Sequence, residues 1–398
     1  MLTEARMKTA YEYIVVGCGG IGSAAAYWLA REAGREVLGL EQFALGHDRG
    51  ESQDHSRIIR LSYHAPAYTA LTRHSYAAWG EVEAESGVQL RLKTGGVDLE
   101  LVGDGAPQFI NHYAESMRTA DIPHEQLSAQ ELMQRWPQFQ LPDGVHALYQ
   151  ADSGLIDARK ANATHVTLAR ARGATILENT AVRSIRPAGD SMVVQTDSAT
   201  FTARRVVVTS GAWSNQVLRA VGIDLPLTVT QEQVTYFQTP HLREFAPDRF
   251  PIWIWHGGPR GCFYGFPIYG EVATKAGQDV GGDVVTADTR TFTPNPRAAA
   301  DLRRFLETYI PRALGPELYT KTCLYTLTPD RDFVIDTLPQ HPQIALAIGA
   351  GHAFKFASLI GRILSQLALR GAADFPIDAF RVDRPALTNP SFTASFMV

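Results

Sequence analysis

Cysteine is scarce in this chain: Cys18, Cys262 and Cys323 are the only three in 398 residues. An odd number at such wide spacing excludes a disulfide framework and a CxxC metal knuckle, and it suits a reducing compartment. The cytosol is the expected location, or the peroxisome in a eukaryote. Long apolar runs are missing too. The longest uncharged stretch, Ile14 to Ala30, is broken by four glycines and falls short of the roughly 20 apolar residues of a membrane span, so neither a span nor a secretory signal is expected. No sign of charge dominates. With 37 basic and 41 acidic residues the formal net charge is −4, which offers no general attraction for nucleic acid or an anionic membrane. The 12 histidines are scattered, and His47, His55 and His64 stand at spacings that fit no helical ligand pair, so no metal site is expected.

What is present is ordinary globular material. A hydrophobic share of 45% and a charged share of 20% are near the average, and the length is enough for two to three domains. Tyr11 to Glu41 reads as strand, Gly-rich turn, helix, strand: "YEYIVVG" is β-branched, "CGGIG" is a turn and "SAAAYWLAREAG" has helical composition. "ANATHVTLARARGATILEN" reads as helix then strand and runs through the hairpin "AVRSIRPAGDSMVVQT" into "FTARRVVVTSGAW". "QIALAIGAG" is a short buried-type strand entering the long amphipathic helix "HAFKFASLIGRILSQLALRG". The stretches between are richer in aromatics and in strand-like alternation. Two interleaved domains of the α/β class are therefore expected, the second of α+β type.

Gly17, Gly19 and Gly22 form GxGxxG between a strand and a helix, and Glu41 ends the next strand. The glycines let the backbone approach a pyrophosphate at the positive end of the helix dipole. The carboxylate accepts from ribose hydroxyls and disfavours a 2′-phosphate. A dinucleotide follows, but the motif alone does not separate FAD from NAD.

Beyond Glu41 the chain runs "GHDRGESQDHSRIIRLSYH", and later "TCLYTLTPDRDFVID" and "GAGHAFKFAS". These segments, with the fingerprint and in this order, resemble the monomeric sarcosine oxidase family of flavoenzymes, which includes N-methyltryptophan oxidase and pipecolate oxidase. The resemblance covers nearly the whole chain. It implies a Rossmann-like FAD-binding domain, residues 8–88, 150–225 and 320–390, interleaved with an antiparallel-sheet substrate domain, residues 89–149 and 226–319. It also implies a monomer that oxidises a secondary amino acid to an imine, with O2 as acceptor and hydrogen peroxide as product.

Roles for individual residues follow from the same resemblance. Cys323 is where the family attaches flavin through a thioether, a reaction that a thiolate beside a cation favours. Cys18 and Cys262 are expected to be packing residues. Arg57 is placed near the flavin face, and Arg60 clamps the substrate carboxylate, a task that suits a planar guanidinium. The spacing of these two arginines leaves open whether they share a face. Lys355, one turn into a helix between two phenylalanines, joins Arg60 at the carboxylate, while Gly349, Gly351 and His352 direct amides at the flavin pyrimidine edge. Lys275 lies over the flavin and assists its reaction with O2, with Arg57 and Tyr264 as further catalytic residues. Tyr264 and Tyr325 wall the substrate pocket. The other implied cofactor contacts are Gly20 and Ile21 in the turn, Gln42, Ser52, Val182, Gly211 and Trp213.

The pattern departs from the family at two places. Asp279 stands where the better-known sarcosine oxidases have a substrate-touching histidine; it either lines the site, favouring a substrate with a cationic or hydroxyl group, or points to solvent. Gln53 replaces a histidine near the flavin. A primary-amine, D-amino-acid or glycine-type oxidase or dehydrogenase on the same fold remains the alternative function. A flavoprotein acting on a modified tRNA base is the alternative of another class, disfavoured by the net charge.

Overall fold

The computed structural model describes residues 8–103, 108–257 and 261–393. Strand Ala10–Val16 enters helix Gly20–Ala33 through the Gly-rich turn and returns as strand Val37–Leu40, parallel to the first with Tyr13 opposite Val37. The helix is rich in small residues, with five alanines, two glycines and a serine among its fourteen. It is buried on nearly every side because it lies between the sheet and two further helices, Ala158–Ala171 and Ala357–Arg370. Small residues make that closeness possible: a Cβ added at Gly361 would stand 2.5 Å from the Ala24 Cβ.

Strand Thr200–Val208 pairs in parallel with the other edge of Ala10–Val16, and His341–Ile348 pairs in parallel with Thr200–Val208. The hairpin Val182–Ala188 and Ser191–Thr196, strand Thr175–Leu177 and strand Val334–Leu338 complete an eight-stranded sheet among the described residues. Its strands come from three regions far apart in sequence. Apolar clusters fill both faces, as a sheet covered on each side requires.

A second sheet, of nine strands among the described residues, is antiparallel apart from Ile252–Trp255, which runs parallel to Gly96–Leu101. Its spine is the pairing of Thr228–Phe237 with Glu317–Leu327, in which Glu232 stands opposite Cys323. The strand carrying Cys323 therefore pairs into the second sheet. Its pairing partner lies nearly a hundred residues upstream, a pairing that local sequence does not reveal. A small sheet of Arg57–Ile59, Gly154–Ile156 and Arg91–Lys93 lies between segments of the two larger ones in sequence. Among the described residues no helix is long and apolar enough to cross a membrane, and no cluster of His, Cys, Asp and Glu could hold a metal.

Candidate active site

One cavity of about 990 Å3 runs from the Gly-rich turn to the second sheet, at the upper end of the roughly 300–1,000 Å3 usual for small-molecule sites. Every site residue expected from the sequence lines it except Gly22.

Gly22 acts one layer below the wall. A Cβ there would stand 1.8 Å from the Gly17 carbonyl oxygen, so the helix can approach the turn only without a side chain. Gly22→Ala is expected to cost about 1–3 kcal/mol through overpacking and to weaken cofactor retention, read as a lower unfolding midpoint and less bound flavin per chain. Gly17 has φ +86°, the left-handed region that glycine enters without strain, and a Cβ on it would meet the Thr209 carbonyl oxygen at 2.8 Å.

The helix start itself is bare, since its N-cap Gly19 offers no side chain. Ser52 Oγ accepts from the Gly20 amide at 2.8 Å. Glu41 is buried, and its two oxygens accept from the Cys18 amide at 2.9 Å and the Phe43 amide at 3.1 Å. Asn162 donates to the Ser52 carbonyl while its own buried Oδ1 has no partner, an acceptor left on the cavity wall.

In the middle of the cavity Arg57 curls back over its own loop, donating to the carbonyls of Glu51, Gln53 and Ser56 at 2.6–3.0 Å. Lys275 is buried and forms an ion pair with Asp54 Oδ2 at 2.7 Å while donating to the Ser56 carbonyl at 2.8 Å. Burial pushes the Lys275 ammonium down to about 8, against the pull of Asp54. Asp54 pays for burial but is held well below the usual carboxylate range by Lys275 and Arg57, and it accepts from the Tyr236 hydroxyl at 2.7 Å. Its φ of +90° is unusual for a residue with a side chain. Burial raises the Cys323 thiol to about 11, with Arg57 opposing. Beside it, burial pushes Glu51 up to about 7, while Thr326 donates to its carboxyl and Arg57 opposes the rise.

At the far end Arg60 is buried, with Nη1 on Asp98 Oδ1 at 2.5 Å and Nη2 3.4 Å from the Tyr113 hydroxyl. Its Nε has no partner. The strand Arg57–Ile59 ends before Arg60, so strand alternation does not separate the two arginines, and both line the cavity. Lys355 sits in a 3-10 turn, Ala353–Phe356, ahead of the α-helix rather than one turn into it. Its Nζ donates to the Tyr63 hydroxyl at 3.0 Å and the His352 carbonyl at 2.9 Å. Burial, then Arg60, pushes it well below the usual lysine range.

His352 donates from Nε2 to the Arg331 carbonyl at 3.0 Å, and burial holds its ring neutral. Asp279 lines the cavity and pairs with the buried Arg331 at 2.7 Å, which overturns the alternative that it points to solvent. Cys18 and Cys262 were expected only to pack, yet both also lie on the cavity wall.

The sequence profile of the family described as FAD dependent oxidoreductase matches residues 12–367. The chain belongs to that family. This FAD-dependent oxidoreductase is 36% identical over 383 residues to a monomeric sarcosine oxidase of Streptomyces avermitilis, covering 94% of this chain and 97% of the relative. It is 31% identical over 379 residues to N-methyl-L-tryptophan oxidase of Escherichia coli, covering 94% and 99%. The solved structure of NikD, an amino acid oxidase essential for nikkomycin biosynthesis, superposes with a TM-score of 0.82 at 26% identity, covering 98% of this chain and 99% of that one. The residues present fit the cofactor: a side-chain-free helix start for a pyrophosphate, a buried carboxylate one strand away, and the unpaired Asn162 Oδ1 for a hydroxyl donor.

Sequence reading missed Asp54, Glu51, Asp98, His256 and Arg331. One signal was available. "GGVDLELV" places Asp98 and Glu100 in an otherwise apolar strand, and buried acids need partners.

Proposed function

We propose that the FAD-dependent oxidoreductase oxidises a secondary amino acid, N-methylated or cyclic, to its imine and passes the electrons to O2. The observation that carries this reading is the convergence of Arg60 and Lys355 at one end of the cavity, with Lys275 and Cys323 in its middle. A substrate carboxylate docks between the free edge of Arg60 and the Lys355 ammonium, which orients the neighbouring C–H bond. Tyr264 and Tyr325 wall the space beyond.

Bound FAD supplies the two-electron acceptor. Gly17, Gly19, Gly20, Ile21, Glu41, Gln42, Ser52, Val182, Gly211 and Trp213 would hold its nucleotide portion, and Gly349, Gly351 and His352 its ring. Cys323 would hold it covalently. Lys275 presents its charge where O2 reacts, and the enzyme works as a cytoplasmic monomer.

Oxygen uptake with paired N-methylated and unmethylated amino acids tests the reading. Turnover confined to the unmethylated members would move the enzyme to the primary-amine alternative. Lys355→Met is expected to raise KM by about 10–100-fold, the equivalent of a charge-assisted hydrogen bond of about 1.5–3 kcal/mol, with little change in kcat. Steady-state kinetics at fixed O2 would show it.

A further inference from the structure

His256 follows the strand Ile252–Trp255, in which Trp253 and Trp255 pack into an aromatic core while Ile254 and His256 line the cavity. The His256 amide donates to the Leu99 carbonyl at 2.7 Å, which seats the ring beside the strand Gly96–Leu101. There Nε2 meets Asp98 Oδ1 at 2.8 Å, and the ring stacks on Phe109 with centroids 5.7 Å apart. Asp98 resists burial because Arg60 and His256 keep it ionised, with Ser62 donating to its other oxygen at 2.6 Å. A carboxylate only accepts, so Nε2 carries the ring proton and Nδ1 presents a lone pair. Nδ1 has no hydrogen-bond partner among the described residues, and the residue lines the cavity.

We propose that His256, oriented by Asp98, is the base that takes the proton from the substrate ammonium. The inference rests on the reading that the substrate is an amino acid. The substrate N–H proton passes to Nδ1, and Asp98 balances the imidazolium that forms. The freed nitrogen lone pair becomes the second C–N bond of the imine as the α-hydrogen leaves with its two electrons to the bound cofactor. The proton on Nδ1 then returns to solvent. The charged and titratable groups around the ring are Asp98, whose Oδ1 meets Nε2, Arg60, which shares that oxygen, Tyr113, whose ring lies 4.9 Å away between centroids, and His64 at longer range.

A secondary amino acid without an α-hydrogen, 2-(methylamino)isobutyrate, binds without being oxidised. In holoenzyme labelled with 15N-histidine, the Nδ1 resonance of His256, assigned through His256→Gln, should move from the unprotonated to the protonated position when this analogue binds. An Nδ1 that stays unprotonated in the complex overturns the proposal.

In anaerobic mixing, His256→Gln should slow flavin reduction at saturating substrate by about 10²-fold or more and lose the acid limb of that rate, with the affinity for the analogue within a few-fold of the parent. Raised KM with an unchanged reduction rate would make His256 only a support for Arg60. Failure of the parent enzyme to reduce its flavin with any amino acid would instead overturn the substrate reading, which the parent alone reports.

Discussion

Lys275→Met is expected to slow reoxidation of the reduced enzyme by O2 by about 10²–10³-fold, the usual cost of removing one preorganised electrostatic group, while leaving anaerobic reduction by substrate within a few-fold. The lysine is buried, faces the cavity and is held by Asp54 at 2.7 Å and by the Ser56 carbonyl, so its charge cannot swing away to solvent. Burial lowers its ionisation to about 8. The ammonium is therefore present below that pH and is lost as pH rises through it, so the parent's reoxidation rate should fall on the alkaline side and the methionine variant should show no such fall. Asp54→Asn removes the group that favours the ammonium, so the fall should move to lower pH. The asparagine variant should also be about 3–5 kcal/mol less stable, because Lys275 is left buried and unpaired. Rapid mixing with oxygenated buffer across pH separates the two half-reactions, and equal slowing of both by Lys275→Met would remove the assigned role.

Cys323→Ser should release all of its flavin on acid denaturation, whereas the parent should keep its yellow colour on the precipitated chain. The sulfur lies on the cavity wall in the middle of the second sheet's longest strand, where the backbone fixes its position. The thiol is raised to about 11 by burial, with Arg57 and Lys275 drawing it down. The reactive thiolate is thus a minor form at neutral pH, and attachment to apoprotein reconstituted with FAD should quicken as pH rises towards 11. Arg57→Met should slow that attachment by removing the first of the two cations. Parent enzyme that surrenders its flavin to acid would end the covalent assignment.

The nucleotide end of the site was legible in the sequence because its chemistry is local. Gly17, Gly19 and Gly22 meet the demands of a single turn, and Glu41 ends the very next strand. The order of strand, turn and helix in the three strand-turn-helix regions also followed from composition and glycine placement. Lys355 was misplaced by a few residues because a 3-10 turn and the start of an α-helix share the same composition.

Sequence alone thus determined a dinucleotide-binding turn, and the family resemblance pointed to Arg57, Arg60, Lys275 and Lys355, four of the cations that line the cavity. Tertiary structure decided what state those cations are in. Lys275 is tempered by Asp54, Arg60 is bound to Asp98, and Asp279 is neutralised by Arg331, each pair brought together by contacts between distant segments. Strand pairing obeys side-chain packing and backbone hydrogen bonding across long separations, and a buried charge depends on whichever neighbour that pairing delivers. The identity of a charged residue is written in its own position, but its protonation and its aim belong to partners that only the folded chain supplies.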